Sequence, residues 1–193
     1  MKNRFAKVLL PVFLFSGAAM ADGVVYPTQS LLGVEVGVAN INYDISNKRD
    51  TINKTVENLG VKIGAQSHNY RVFLSMNYYT KPDSSYDYIG TYGGELDYLL
   101  NISSKTNLYL GVNTGIANMK FRAPHELTKR TISNPYYGVD AGITIHRSRL
   151  IDLEFGARFM MLDATNRKNN ITYRFNSFMN AYASINFKYQ MDD

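Results

Sequence analysis

His146, Arg147 and Ser148 stand together, with Glu154 eight residues beyond His146. These are the residue types of a triad in which an acid orients a histidine that deprotonates a serine. Such chemistry needs all three groups converging on one site. Residues 146 to 148 instead fall at a tight turn between two alternating segments, and Glu154 falls on the inward face of the second, so His146 reads as a rim histidine beside a turn serine. His68 lies in another short turn and His125 in the longest connection; no two histidines share a segment at ligand spacing, so no metal site is expected. Cysteine is absent, which removes thiolate nucleophiles, disulfides and cysteine-bound metals. The recurrent glycines are spaced for strands, with none of the strand-to-helix spacing of a nucleotide loop. No catalytic residue and no cofactor is assigned.

The chain's other chemistry is ionic. Glu35, Lys62, Arg71, Glu95, Asp97, Asp140, Glu154 and Arg158, with Asp152 and Lys188, each fall at a position alternating with apolar neighbours. Charges placed in an interior persist only when paired and hydrogen-bonded. The expected pairs are Glu35 with Lys62, and Asp140 or Glu154 with Arg158. Their expected role is to fill and pin an interior; the alternative is that they line a thin polar path.

The elements that must position these charges are eight segments of period-two alternation. Their apolar faces are Leu32 to Val38, Leu59 to Ala65, Tyr70 to Tyr78, Tyr92 to Leu100, Leu108 to Ile116, Tyr137 to Ile145, Ile151 to Met161 and Phe175 to Tyr189, each taken at alternate residues. No charged residue lies on that face. The opposite face carries glycine, amides and the charges named above. A soluble eight-stranded barrel would place its apolar face inside, so the uncharged face here must meet something other than water, and lipid is the simplest candidate. The change of phase at Asn40 and Ile41 points to a bulge.

Residues 1–21 read as a secretory signal peptide: Lys2, Arg4 and Lys7 precede the apolar stretch Val8 to Phe15, and Ala19-Met20-Ala21 fits the small-residue cleavage rule. The stretch is shorter than the roughly 20 apolar residues a membrane helix needs. Without the leader, 18 Lys and Arg face 16 Asp and Glu, so a net charge of +5 falls to +2. The basic balance therefore gives no case for nucleic acid. Residues 22–193 are expected to form one barrel domain, with no room for a folded domain after it.

The connections, placed at 44–55, 67–68, 81–88, 102–105, 119–134, 147–148 and 163–172, alternate long and short. Outer-membrane barrels have short periplasmic turns and longer extracellular loops, which puts both termini in the periplasm. Tyr70, Tyr98, Phe187 and Tyr189 are expected at the periplasmic rim, and Tyr78, Tyr92, Tyr137, Phe159 and Phe175 at the outer one. The outer loops are basic: Lys120, Arg122, Lys129 and Arg130 in one, Arg167 and Lys168 in another. The four sum to about +4, a charge suited to lipopolysaccharide phosphates or to an anionic host or surface ligand.

In this pattern the chain resembles the small eight-stranded outer-membrane barrels, the OmpA transmembrane domain, OmpX and the opacity-type adhesins. Its last strand, Ile185-Asn186-Phe187-Lys188-Tyr189, is similar to their alternating aromatic C-terminal assembly signal, although Gln190-Met191-Asp192-Asp193 replaces the usual terminal Phe. His146-x-Ser148 resembles an element of the lipid A deacylases, but Glu154 stands at a different spacing and the turn lies on the side away from the outer leaflet. The sequence therefore reads as an all-β, eight-stranded, up-and-down barrel of a Gram-negative outer membrane. The function expected is a non-enzymatic structural or adhesin-like surface protein with a plugged lumen. A narrow low-conductance pore is the alternative, and a hydrolase using His146 and Ser148 comes third.

Overall fold

The computed structural model describes residues 28–45, 52–81, 86–122, 129–168 and 171–189. The proposed leader at 1–21 and His125 lie outside these. Eight antiparallel strands follow in chain order: β1 (Gln29–Ile45), β2 (Ile52–Gln66), β3 (Tyr70–Tyr79), β4 (Tyr86–Ser103), β5 (Thr106–Phe121), β6 (Arg130–His146), β7 (Ile151–Lys168) and β8 (Ile171–Tyr189). Each pairs with its sequence neighbour, and β1 pairs with β8 to close the barrel. Closure gives every strand a partner on both sides, the condition for burying backbone polar groups in lipid.

An apolar belt rings the outside. Leu74 is 69% exposed, Leu110 62% and Val36 55%, with Leu32, Val61, Ile63, Val112, Val139 and Ile185 also on this surface. An apolar surface continuous around a monomer needs a non-aqueous neighbour. At the short-turn rim Tyr70 and Tyr98 meet edge to face at 5.4 Å. Tyr78, Tyr92, Tyr137 and Phe159 are exposed toward the other rim.

β3, of 10 residues, matches the 9 to 11 or so that cross a bilayer. The other seven strands, of 15 to 19 residues, run on past this belt. Beyond the belt their polarity inverts. In β1 the outward residues change from Val34, Val36 and Val38 to Asn40 and Asn42, while the inward ones change from Gly33, Glu35 and Gly37 to Ala39, Ile41 and Tyr43. In β5 the outward Val112 and Ile116 give way to Asn118 and Lys120, and the inward Gly111 and Asn113 to Ala117, Met119 and Phe121. The chain thus builds a membrane-type barrel below, and above it two strand groups, β7-β8-β1-β2 and β4-β5-β6, with the apolar-inside pattern of a soluble protein. A core of Ile41, Tyr43, Val56, Tyr79, Ile89, Phe121, Ile132, Leu162, Phe175 and Phe178, among others, fills the upper part.

This inversion corrects three expectations. The connections placed at 44–55, 81–88, 119–134 and 163–172 are strand at 44–45, 52–55, 86–88, 119–121, 130–134, 163–168 and 171–172, because outward-polar, inward-apolar alternation reads as loop when the search is for apolar residues outside. The phase change at Asn40 and Ile41 is the inversion itself, and β1 pairs with β2 through both residues without a break. A bulge lies instead in β8, where Asn42 pairs with Ser177 but Tyr43 with Phe175, leaving Asn176 out of register; the pairing also shifts in β4 between Tyr86 and Tyr88 and between Asn101 and Ser103, and in β7 between Met161 and Ala164. The extra residue at Asn176 turns Phe175 inward, where it is fully buried, so Phe175 is no part of the outer aromatic girdle.

Candidate functional site

Beneath the apolar core the lumen holds a layered ionic network. All eight charges assigned to it from sequence are buried, none more than 5% exposed. In the upper layer Arg158 on β7 reaches Glu35 on β1 at 3.2 and 3.3 Å and Glu95 on β4 at 2.8 Å. Asn58 and Asn180 also donate to Glu35, at 3.2 and 3.4 Å. In the lower layer Glu154 on β7 accepts from Lys62 at 2.7 Å, Arg71 at 2.6 Å, Asn186 at 3.0 Å and the Tyr182 hydroxyl at 3.1 Å. Arg71 also holds Asp97, through Nε at 2.8 Å.

The pairs differ from those expected. Glu35 takes Arg158 and leaves Lys62 to Glu154, while Asp140 accepts from Asn113, at 3.0 Å, and forms no ion pair among the described residues. Sequence reasoning chose neighbours on adjacent strands or within one strand. Long side chains in a narrow lumen instead meet across it, as Arg71 of β3 meets Glu154 of β7. Asp97 Oδ1 and Asp140 Oδ2 converge on Gly111, and neither receives a hydrogen bond.

Three aromatic rings that sequence reasoning passed over complete the network. The Arg158 guanidinium lies 4.8 Å from the Tyr182 ring, Arg71 lies 4.7 Å from Tyr109 and 4.9 Å from Phe73, and Lys62 lies 4.6 Å from Phe73. Such faces attract cations while excluding water. Their inward parity was available in the sequence: Tyr109 shares the phase of Gly111, and Tyr182 that of Ser184. Glycines opposite make the room, since a Cβ at Gly142 or Gly156 would run into the Tyr109 hydroxyl.

At the short-turn mouth His146 Nδ1 lies 2.8 Å from Asp152 Oδ1, which also accepts from Lys188 at 2.7 Å. Ser148 Oγ accepts from the backbone N–H groups of Leu150 at 3.1 Å and Ile151 at 3.0 Å, tying the turn. Glu154 is committed to Lys62 and Arg71. His146, Ser148 and Glu154 are therefore not brought together as a triad. Among the described residues no group of three or more His, Asp or Glu is placed to hold a metal ion.

At the opposite end Lys120 and Arg122 follow one another on the outward face at the end of β5, and Arg167 is exposed on β7. Lys129 pairs with Asp87 at 2.8 Å, and this ammonium holds the Asp87 carboxyl below its ordinary range. Arg130, assigned from sequence to an exposed loop, is a correction: it opens β6 on the inward face and is 2% exposed. The Lys168 side chain lies outside the described residues.

No protein-family model matches the chain, and no curated protein matches it in sequence. Among solved structures, Neisserial surface protein A superposes with a TM-score of 0.62 at 15% identity, covering 82% of this chain and 97% of that one. The chain has the fold of the small eight-stranded outer-membrane barrels. OprH of P. aeruginosa gives 0.56 at 17% identity, over 83% of this chain and 99% of that one. The N-terminal β-barrel domain of Pseudomonas aeruginosa OprF gives 0.51 at 10% identity, over 80% and 97%. The inward side chains of this barrel are of two kinds, ionic below and aromatic above.

Proposed function

We propose that the protein is a non-enzymatic outer-membrane surface barrel, exported by a cleaved leader at residues 1–21. Its lumen is plugged, and its basic outer collar contacts anionic groups of lipopolysaccharide. The observation that carries the reading is the stacking of the aromatic core directly above the ionic network. A pore must keep a wetted path, whereas here two chemically different layers stand in series along the axis. Tyr43, Tyr86, Phe121 and Phe175 form the upper layer, with ring centroids 5.2 to 5.8 Å apart. The network centred on Arg158 and Glu154 forms the lower one. The collar's Lys120, Arg122 and Arg167 lie just above the apolar belt, at the level of lipid phosphates. An adhesin-like role would use the same cations on an anionic external ligand.

The test is single-channel conductance of the refolded protein in planar bilayers, for the intact chain, Glu35→Ala and Arg158→Ala. Silence in all three is the expected result, because the aromatic layer is untouched by either change. Steady openings altered by either substitution would make the narrow-pore reading the leading one. Binding to lipopolysaccharide is checked by comparing the intact chain with Lys120→Ala/Arg122→Ala/Arg167→Ala at increasing salt. The triple variant is expected to bind more weakly and with a shallower salt dependence.

A further inference from the structure

The short-turn mouth is a bowl of about 910 Å³, the size range of small-molecule sites. We infer that it binds a hydrophilic, carboxylate-bearing ligand, a glycan–peptide fragment of the cell wall. The side on which such a ligand is met rests on the outer-membrane reading above; the chemistry of the bowl does not.

The lining is the first argument. Its walls carry amides from Gln66, Asn101 and Asn107 and hydroxyls from Ser103 and Ser104, groups that both donate and accept and so suit a ligand rich in hydroxyls and amides. Leu150 is its one aliphatic residue. With Leu150 and the Tyr189 ring as its large apolar side chains, the bowl offers an acyl chain no continuous aliphatic wall, which weighs against a lipid headgroup as the occupant.

Charge is the second argument. Arg149 and Lys188 reach the bowl with the rings of His146 and His68 beside them, and among the described residues no carboxylate lines it. Asp152, at the floor, is 1% exposed and is covered by Lys188 and His146 on the same oxygen, so Asp152 and Lys188 offset each other inside the wall and the surplus cation of the lining is Arg149. Lys105, Arg147 and Arg149 stand exposed in the surrounding turns, and among the described residues no ion pair engages them. A concave polar site with cations of one sign focuses its field on an entering anion. The turns that present these cations are tied in place: Ser148 holds two backbone N–H groups, and the Lys188 N–H bonds to Leu150 O at 2.8 Å.

The experiment is a calorimetric titration of the refolded full chain in zwitterionic micelles with a soluble wall disaccharide carrying its stem peptide. Parallel arms use the same fragment with its carboxylates amidated, and short-chain phosphatidylglycerol. The expected result is saturable binding of the free acid, weakened about tenfold by amidation and by Arg149→Glu, the loss of one charge-assisted contact. Lys188→Gln is expected to weaken it as well, with heat-modifiable migration on gels reporting that each variant folds. No binding by the intact chain, affinity unchanged in both variants, or a preference for phosphatidylglycerol would overturn the inference. Sidedness is read separately: Ser104→Cys, the sole cysteine of that variant, should react with an impermeant maleimide only after the outer membrane is permeabilised. Labelling of intact cells would overturn the orientation and leave the titration to stand or fall by itself.

Discussion

The hydroxyls of Tyr109 and Tyr182 meet at 2.7 Å across the lumen, joining β5 to β8 between two layers of buried charge. Tyr182 also donates to Glu154 below, and its ring carries Arg158 above. Gly156 lies beneath both phenols. Gly156→Ala is therefore expected to push the rings apart and destabilise the barrel by about 1–3 kcal/mol, the range of core overpacking. Urea unfolding in micelles, followed by gel mobility, measures it; stability equal to the parent would show that the phenols yield freely.

Arg158 is the only partner of Glu95 among the hydrogen bonds of the described residues, and it forks onto Glu35 as well. Arg158→Ala leaves two buried carboxylates facing each other, so a loss of about 3–5 kcal/mol is expected. Restoring stability with Glu35→Gln/Glu95→Gln in the same background checks that stranded charge, and not lost packing, is the cause.

Asp140 behaves in the opposite sense. Its Oδ2 faces Asp97 Oδ1 over Gly111, and among the described residues Asn113 donates to its other oxygen. Asp140→Asn keeps an oxygen for Asn113 and removes one of two converging charges. It is expected to leave stability unchanged or raise it by about 1 kcal/mol, since a buried charge without a counter-ion costs more than its neutral isostere. A loss of stability in the same urea assay would argue that the pair shares a proton or ion.

Above the belt the interior should obey the rules of a soluble core. Phe178 is fully buried and packs edge to face on Tyr79, with centroids 5.7 Å apart. Phe178→Ala is expected to cost about 3–5 kcal/mol, against little for Leu74→Ala, whose side chain faces lipid in both variants. Equal losses would place the upper interior in contact with water.

At the collar, Lys129 holds the Asp87 carboxyl below its ordinary range. A carboxyl with a lowered folded pKa contributes stability above its unfolded value and loses it as pH falls through the folded one. The pair is exposed and the effect small, so NMR titration of the carboxyl is the suitable readout. Lys129→Ala is expected to move its midpoint upward.

The number of strands, the belt and the burial of the ionic residues were legible because one rule, alternation with the apolar side outward, governs every strand across the lipid. The same rule hid the upper strand groups, where Asn40 and Ile41 follow its reverse. It also misplaced Phe175, since a single out-of-register residue at Asn176 flips everything beyond it. Partners across the lumen were not legible at all: register fixes neighbours within the sheet, whereas Arg158 finds Glu95 by spanning the interior from β7 to β4.

The inversion of polarity at one latitude also sets how deep the protein floats. Sinking the barrel would carry Asn118, Lys120 and Arg122 into hydrocarbon; raising it would bare Val112, Ile116 and Tyr137 to water. Both displacements are opposed along the same strands that carry the inversion, so the sequence encodes a waterline. A bilayer thicker than the belt must thin against the barrel instead of lifting it.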